Sequence, residues 1–219
     1  MVDRCKINEK GCIIVDLDGT LLSGNSLKFL TKFLFKILIK KHQIGEIIKL
    51  SHLIIVRKTK FIPHKKMKYN IIQSANLFLN KQDIENFAKI LYENRNRKVE
   101  DLLKSYKTFG NTILIATAAP DFYLESFVKL FDTLDMKHIG SKLTSAYENF
   151  IENKGVEKLR TVESYLKENN LNCIGVITDH EDDLPLLIKY PSNTFLIEPK
   201  KKTLRQIKKF RHIHYKIID

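Results

Sequence analysis

Four short apolar runs, 12–15, 112–116, 173–177 and 194–197, set the tightest limit on what this chain can fold into. They show no in–out alternation, so each reads as a strand buried on both faces of a parallel sheet. A weaker fifth candidate spans 138–143. Stretches with helical periodicity, such as 122–130 and 156–167, separate most of the runs. Strands alternating with helices predict an α/β fold with right-handed crossovers. The length of 219 residues suits one large domain, or a core with a smaller insert.

The rhythm breaks between the first two strands. Residues 23–108 hold no convincing strand and four helical patterns, at 26–41, 44–57, 64–79 and 82–106. No simple crossover needs that length. The chain is therefore expected to divide into a core, 1–22 with 109–219, and an inserted helical subdomain, 23–108.

Charge follows the same division. The chain carries 38 Lys+Arg against 25 Asp+Glu, a net +13. Residues 23–108 hold 19 Lys+Arg and 6 Asp+Glu, also +13, and the remainder holds 19 of each. The whole excess belongs to the insert. Such a surface can steer anionic substrates, rest on an anionic membrane or bind nucleic acid. No nucleic-acid-binding motif accompanies it, and the basic stretches are amphipathic rather than studded with stacking aromatics. Specific nucleic-acid binding is not expected. The most apolar stretch, 27–39, is interrupted by Lys28, Lys32 and Lys36, with Lys40 following. A spanning helix needs about 20 apolar residues, so this stretch reads as an amphipathic helix. Phe29, Leu30, Phe33, Leu34, Ile37 and Leu38 form the apolar face, and the lysines the basic one.

The polar opening MVDRCKINEK carries no secretory signal pattern. The three cysteines, Cys5, Cys12 and Cys173, are odd in number and form no C-x-x-C pair. A reducing cytoplasmic setting is expected, with Cys12 and Cys173 as small buried hydrophobes.

Chemistry-bearing residues gather at the ends of the apolar runs. The first run leads into Asp16-Leu17-Asp18-Gly19-Thr20. In an open α/β sheet that carboxyl edge is where ligands bind. Two carboxylates so close repel unless a cation lies between them, and hard oxygen donors suit Mg²⁺. The third run leads into Thr178-Asp179-His180-Glu181-Asp182-Asp183-Leu184-Pro185. A favourable helix N-terminus accounts for Glu181 and Asp182, but less well for Asp179, which follows the buried strand directly. After the second run, Thr117-Ala118-Ala119-Pro120 offers a hydroxyl and backbone amides, read as a helix start able to hold phosphate. Lys154 and Lys158 flank the start of a later helix.

Taken together and in this order, these segments resemble the haloacid dehalogenase-like phosphohydrolase superfamily. Asp16 to Thr20 matches its D-x-D-G-T motif, Thr117 its second motif, and Asp179, Asp183 and Pro185 its fourth. Lys158 is the favoured third-motif lysine, with Lys154 in reserve. The resemblance implies a Rossmann-like parallel core, with the helical insert as a cap similar to that of the phosphoserine-phosphatase-like branch. It implies Asp16 as nucleophile, Asp18 as general acid and base, and Thr117, Ala118 and Lys158 as phosphate-binding groups. It implies Mg²⁺ held by Asp16, Asp18 through its carbonyl, and Asp179, with Asp183 near or through water. The implied substrate is a small-molecule or lipid phosphomonoester. Three positions depart from the pattern: Thr178 replaces a usual Gly, His180 a usual Ser, and Asn25 the Glu that pairs with a substrate amine in phosphoserine phosphatases. The alternative is a phosphate-binding or membrane-surface module with weak turnover.

Overall fold

The computed structural model describes residues 11–218. Cys5 and the polar opening lie outside them.

Six parallel strands form one sheet in the order β3-β2-β1-β4-β5-β6. They are β1 (Cys12–Val15), β2 (Thr112–Pro120), β3 (Lys137–Ser141), β4 (Cys173–Thr178), β5 (Thr194–Ile197) and β6 (Tyr215–Ile218). All five expected strands are present, and β6 is an addition. Side chains of each strand alternate between two buried layers. Ile13, Val15, Ile113, Ile115 and Ile177 pack on one side, and Cys12, Ile14, Leu114, Ala116 and Val176 on the other. Both faces being dry is why the strands read as unbroken apolar runs. Cys12 and Cys173 face each other in register and are free thiols, the first buried and the second half-buried.

Five helices follow β1: α1 (Ser26–Lys40), α2 (Ile44–Lys58), α3 (His64–Phe78), α4 (Lys81–Glu93) and α5 (Arg97–Lys107). Asn25 caps α1 by accepting a hydrogen bond from the Lys28 amide at 3.0 Å. Leu27, Leu30, Leu34 and Leu38 are buried, while Phe29, Phe33 and Ile37 are partly covered against the same cluster. The amphipathic reading of 27–39 therefore holds, with its apolar face turned inward.

The pattern at 82–106, read as one run, is two helices. Asn94 and Asn96 stand at the break, and Asn96 caps α5 by accepting from the amides of Lys98 and Val99. The break is tertiary in origin. The Ser23 amide donates to the Asn94 carbonyl at 2.9 Å, and the Asn96 amide donates to the Leu21 carbonyl at 2.8 Å. The two connections between sheet and insert thus run side by side. Beyond them, α5 packs on the sheet through Val99, Leu103 and Tyr106, with Tyr106 meeting Phe195 edge-on.

Past β2 come α6 (Leu124–Val128), α7 (Val156–Glu168), α8 (Leu184–Lys189) and α9 (Lys201–Ile207). Helices α7 to α9 cover the side of the sheet opposite the insert, through Val162, Leu166, Leu186 and Ile207. No helix among the described residues is long and apolar enough to cross a membrane.

Candidate active site

The carboxyl ends of β1, β2 and β4 meet below the insert, and a cleft of about 540 Å³ opens there. Asp16, Asp18, Thr117, Ala118, Lys158, Asp179 and Asp183 all line it. Every site residue expected from the sequence is therefore brought to one place.

The strand register explains how. Val15 pairs with both Ile115 and Ile177, and the Asp16 amide donates to the Ile177 carbonyl, so Asp16 leaves the sheet at its centre. The chain then turns sharply at Gly19, whose φ of +80° is reached cheaply only without a Cβ. A Cβ there would also lie only 2.4 Å from Asp179 Oδ2. The glycine lets the first loop close onto the Asp179 carboxylate.

Lys158 comes from the first turn of α7, and its side chain is almost fully buried. Its Nζ donates to Asp16 Oδ1 at 2.8 Å and stands 2.6 Å from Asp183 Oδ1. Lys154 points instead towards Glu152, at 3.8 Å. Burial alone would lower the Lys158 pKa, but Asp16 and Asp183 hold it above the ordinary lysine value. Thr178, which replaces the usual Gly, is tied into this loop. Its hydroxyl donates to Asp183 Oδ2 at 2.6 Å and accepts from the His180 amide. Glu181 belongs to a different network, with Thr203 and Lys202 of α9, and the Lys202 ammonium holds its carboxyl down at about 2.

Asp18 is positioned by the start of the insert. Its Oδ1 accepts from the Ser26 amide at 2.7 Å, and its Oδ2 accepts from Asn25 Nδ2 at 3.2 Å. Burial nevertheless leaves its carboxyl above the ordinary aspartate value. A carboxyl so shifted is suited to carrying a proton.

The setting of Thr117 differs from expectation. Strand β2 does not end there in a helix. It continues past a register shift to Pro120, which pairs with Ser141 of β3. Thr117 is buried, and its Oγ1 accepts from the Ala119 amide at 3.1 Å, so its own proton points elsewhere. The Ala118 carbonyl accepts from Ser141 Oγ at 2.6 Å and from Lys68 Nζ at 2.7 Å.

Lys68 and Glu152 were not found from the sequence. Lys68, on α3, is buried and pairs with Glu152 Oε1 at 2.7 Å. Its neighbour Tyr69 donates to the carbonyls of Thr144 and Ser145 and packs against Phe150. These contacts fasten the insert to the core at the cleft. Lys28, His64, Lys154 and Lys200 complete a basic lining around the acidic floor.

Among the described residues, no three carboxylate, imidazole or thiol side chains already form a metal cage. The charge balance still calls for a cation. Of the two buried ammoniums in the cleft, Lys68 is committed to Glu152, and Lys158 pairs, among Asp16, Asp18, Asp179 and Asp183, with Asp16 and Asp183 alone. Burial pushes the Asp16 carboxyl up against the pull of Lys158, and Asp183 and Asp179 push it further. Asp179 is raised by burial as well. Oxygen donors with unbalanced negative charge at a water-accessible cleft fit a hard divalent ion such as Mg²⁺.

No curated protein matches the chain. Among solved structures, a protein of unknown function from Bordetella pertussis Tohama I is similar, with a TM-score of 0.71 at 14% identity. That match covers 96% of this chain and 99% of that one. A probable phosphoserine phosphatase from Vibrio cholerae has a TM-score of 0.61 at 12% identity, covering 92% of this chain and 60% of that one. A phospho-aspartyl intermediate analogue of phosphoserine phosphatase has a TM-score of 0.55 at 14% identity, covering 92% and 99%. At such identities the likeness is one of fold. The sequence itself goes further, because residues 13–187, from β1 to α8, match the haloacid dehalogenase-like hydrolase family, and the chain belongs to that family.

Proposed function

We propose that the chain is a Mg²⁺-dependent phosphomonoester hydrolase that works through an aspartyl-phosphate on Asp16. The observation that carries this reading is the meeting of Asp16, Lys158 and Asp183 at one strand edge, in the cleft that Thr117 and Ala118 also line.

An Asp16 carboxylate oxygen attacks phosphorus, the Asp16 O–P bond forms, and the bond from phosphorus to the substrate oxygen breaks. Asp18 gives its proton to the departing oxygen. It then takes a proton from the water that attacks the phospho-aspartate, releasing phosphate and restoring both carboxyls. The Lys158 ammonium and the Thr117 hydroxyl hold the phosphoryl oxygens, with the Ala118 amide as a further donor. The carboxylates of Asp16 and Asp179 and the Asp18 carbonyl would hold Mg²⁺, with Asp183 behind them or reaching it through water, and the ion's charge would offset the repulsion between an anionic nucleophile and an anionic phosphate.

Of the expected cap, 23–108, helix α5 packs on the sheet, and α1–α4, residues 24–95, serve as the cap over this cleft. They carry 15 Lys+Arg against 4 Asp+Glu, a net +11, which favours an anionic small-molecule substrate. Asn25 is neutral and engages Asp18. It offers no countercharge to a substrate amine, which disfavours an amino-acid phosphate and leaves small or amphiphilic phosphomonoesters.

Phosphate release from a panel of sugar, nucleotide, organic-acid and lipid phosphomonoesters tests the reading, with Mg²⁺ or with EDTA. Release in Mg²⁺ that EDTA abolishes supports it. No Mg²⁺-dependent release from any class overturns it.

A further inference from the structure

Helix α2 breaks the rule that the outward face of a surface helix is polar. Its buried contact is Leu50. On the other side, Ile44, Ile48 and Ile55 are 66%, 64% and 60% exposed. At about 100° per residue these three fall within about 40° of one another, so they form a single outward stripe. Phe61, in the connection after α2, is 85% exposed. Isolated exposed apolar residues are ordinary, but an aligned row of large ones marks an interaction surface.

The cations around the stripe decide what it meets. Residues 32–60 hold eight Lys+Arg and one Asp+Glu. That acid, Glu46, is already bonded to Ser74 and Lys49. Lys40, Lys41, Lys49, Lys58 and Lys60 are all exposed. A two-fold pairing of this face with a second copy would set one basic field against another. Large exposed apolar side chains on a helix with lysines at both ends, Lys40 and Lys41 before it and Lys58 and Lys60 at its close, are what an anionic lipid surface binds: the isoleucines enter the interface and the lysines meet the headgroups.

We propose that α2 and Phe61 dock the protein on an anionic lipid surface. The stripe starts at the end of the insert far from the cleft, with Ile44, and runs back to the cleft end, with Phe61. Helix α1 begins at the cleft, where Ser26 holds Asp18, and α3 begins there again with His64 and Lys68. Helix α2 connects the far end of α1 to the start of α3, so Lys58, Lys60 and Phe61 lie at the cleft end. Docking would bring the cleft end of the insert, with Lys58, Lys60 and Phe61, onto the headgroups. The proposal stands independently of turnover.

Co-sedimentation with vesicles of phosphatidylcholine, with and without phosphatidylglycerol, tests it on the full chain. Wild type should bind the anionic vesicles about tenfold or more tightly than the neutral ones, and high salt should weaken that binding. The triple variant Ile44→Ser, Ile48→Ser, Ile55→Ser alters exposed positions, and its circular dichroism and melting should match wild type. It should lose most of the binding, as should Lys58→Glu with Lys60→Glu. Three results overturn the proposal. One is no binding to anionic vesicles at low salt. Another is triple-variant binding equal to wild type, which would reduce the effect to non-specific charge. The third is a wild-type dimer, or a complex with polyglutamate, that the triple variant dissolves while vesicles are not bound; the stripe would then serve a second copy or an acidic protein.

Discussion

The floor and the roof of the cleft follow opposite electrostatic rules. The floor, at the strand ends, gathers Asp16, Asp18, Asp179 and Asp183, with the buried Lys158 between Asp16 and Asp183. The roof, residues 24–95, carries a net +11 and leaves most of its charge in solvent. On the floor, charges are paired at 2.6 to 2.8 Å and shift one another's protonation. On the roof, spread lysines act at longer range and are screened by salt. Under the proposed function, attraction of an anion falls to the insert and chemistry on it to the sheet. Two polar joints couple the halves: Asp18 with Ser26 and Asn25, and Lys68 with Glu152 and Ala118.

The largest disruption should come from within the floor. Lys158→Ala removes the cation between Asp16 and Asp183 and leaves two crowded, buried carboxylates. Breaking a buried pair in this way costs about 3–5 kcal/mol. Urea denaturation should show that loss at neutral pH. It should shrink as pH falls, because the two carboxyls escape repulsion by taking up protons.

The joint at Lys68 should rank next. Lys68→Met strands Glu152, with an expected cost of about 3 kcal/mol, the low end for a broken buried pair because Lys154 stays 3.8 Å from the carboxylate. Adding Glu152→Gln should restore a good part of it, and a double-mutant cycle reads the coupling. If the double variant is as unstable as the sum of the singles, the joint is not what holds the roof. The same pair sets an acid limb. Burial pushes the Glu152 carboxyl up, but Lys68 outweighs it and holds the group below the usual glutamate value. The unfolded chain then takes up the proton first. The stabilisation is complete above the unfolded value of about 4.3 and is lost as pH falls through the lower folded value. Below about pH 4.3, wild type should therefore lose stability more steeply than Glu152→Gln.

The joint at Asn25 should be the mildest. Asn25→Ala removes the cap of α1, worth about 1 kcal/mol. It also removes one donor to Asp18, so the Asp18 carboxyl should rise and the pH profile of turnover should move upward. Lost stability with an unmoved profile would make Asn25 a helix cap alone.

The buried strands were legible because a strand dry on both faces has to be apolar throughout. Strand β6 was not, because it sits at the sheet edge and keeps Lys216 exposed. The break between α4 and α5 was hidden for a different reason. Asn94, Arg95 and Asn96 tolerate a helix, and only their pairing with residues 21–23 forces the chain out of one. At the candidate site, Asp16, Asp18, Asp179 and Asp183 stood out by following apolar runs, while their roles, and the choice of Lys158 over Lys154, rested on the family resemblance. Lys68 and Glu152 were not legible: a lysine on a helix is usually solvated, and its partner lies 84 residues away. The insert's surface shows the same limit. The basic amphipathic pattern drew notice to 27–39, yet the leucines there are buried, and the apolar stripe left exposed belongs to α2.

The central claim is that Asp16 is the nucleophile. Wild type turning over p-nitrophenyl phosphate in Mg²⁺, quenched rapidly in acid and digested, should yield an Asp16-containing peptide heavier by one phosphoryl group. Asp16→Asn should show neither this peptide nor turnover. Undiminished phosphate release by Asp16→Asn, or a phosphoryl group on another residue, would contradict the account.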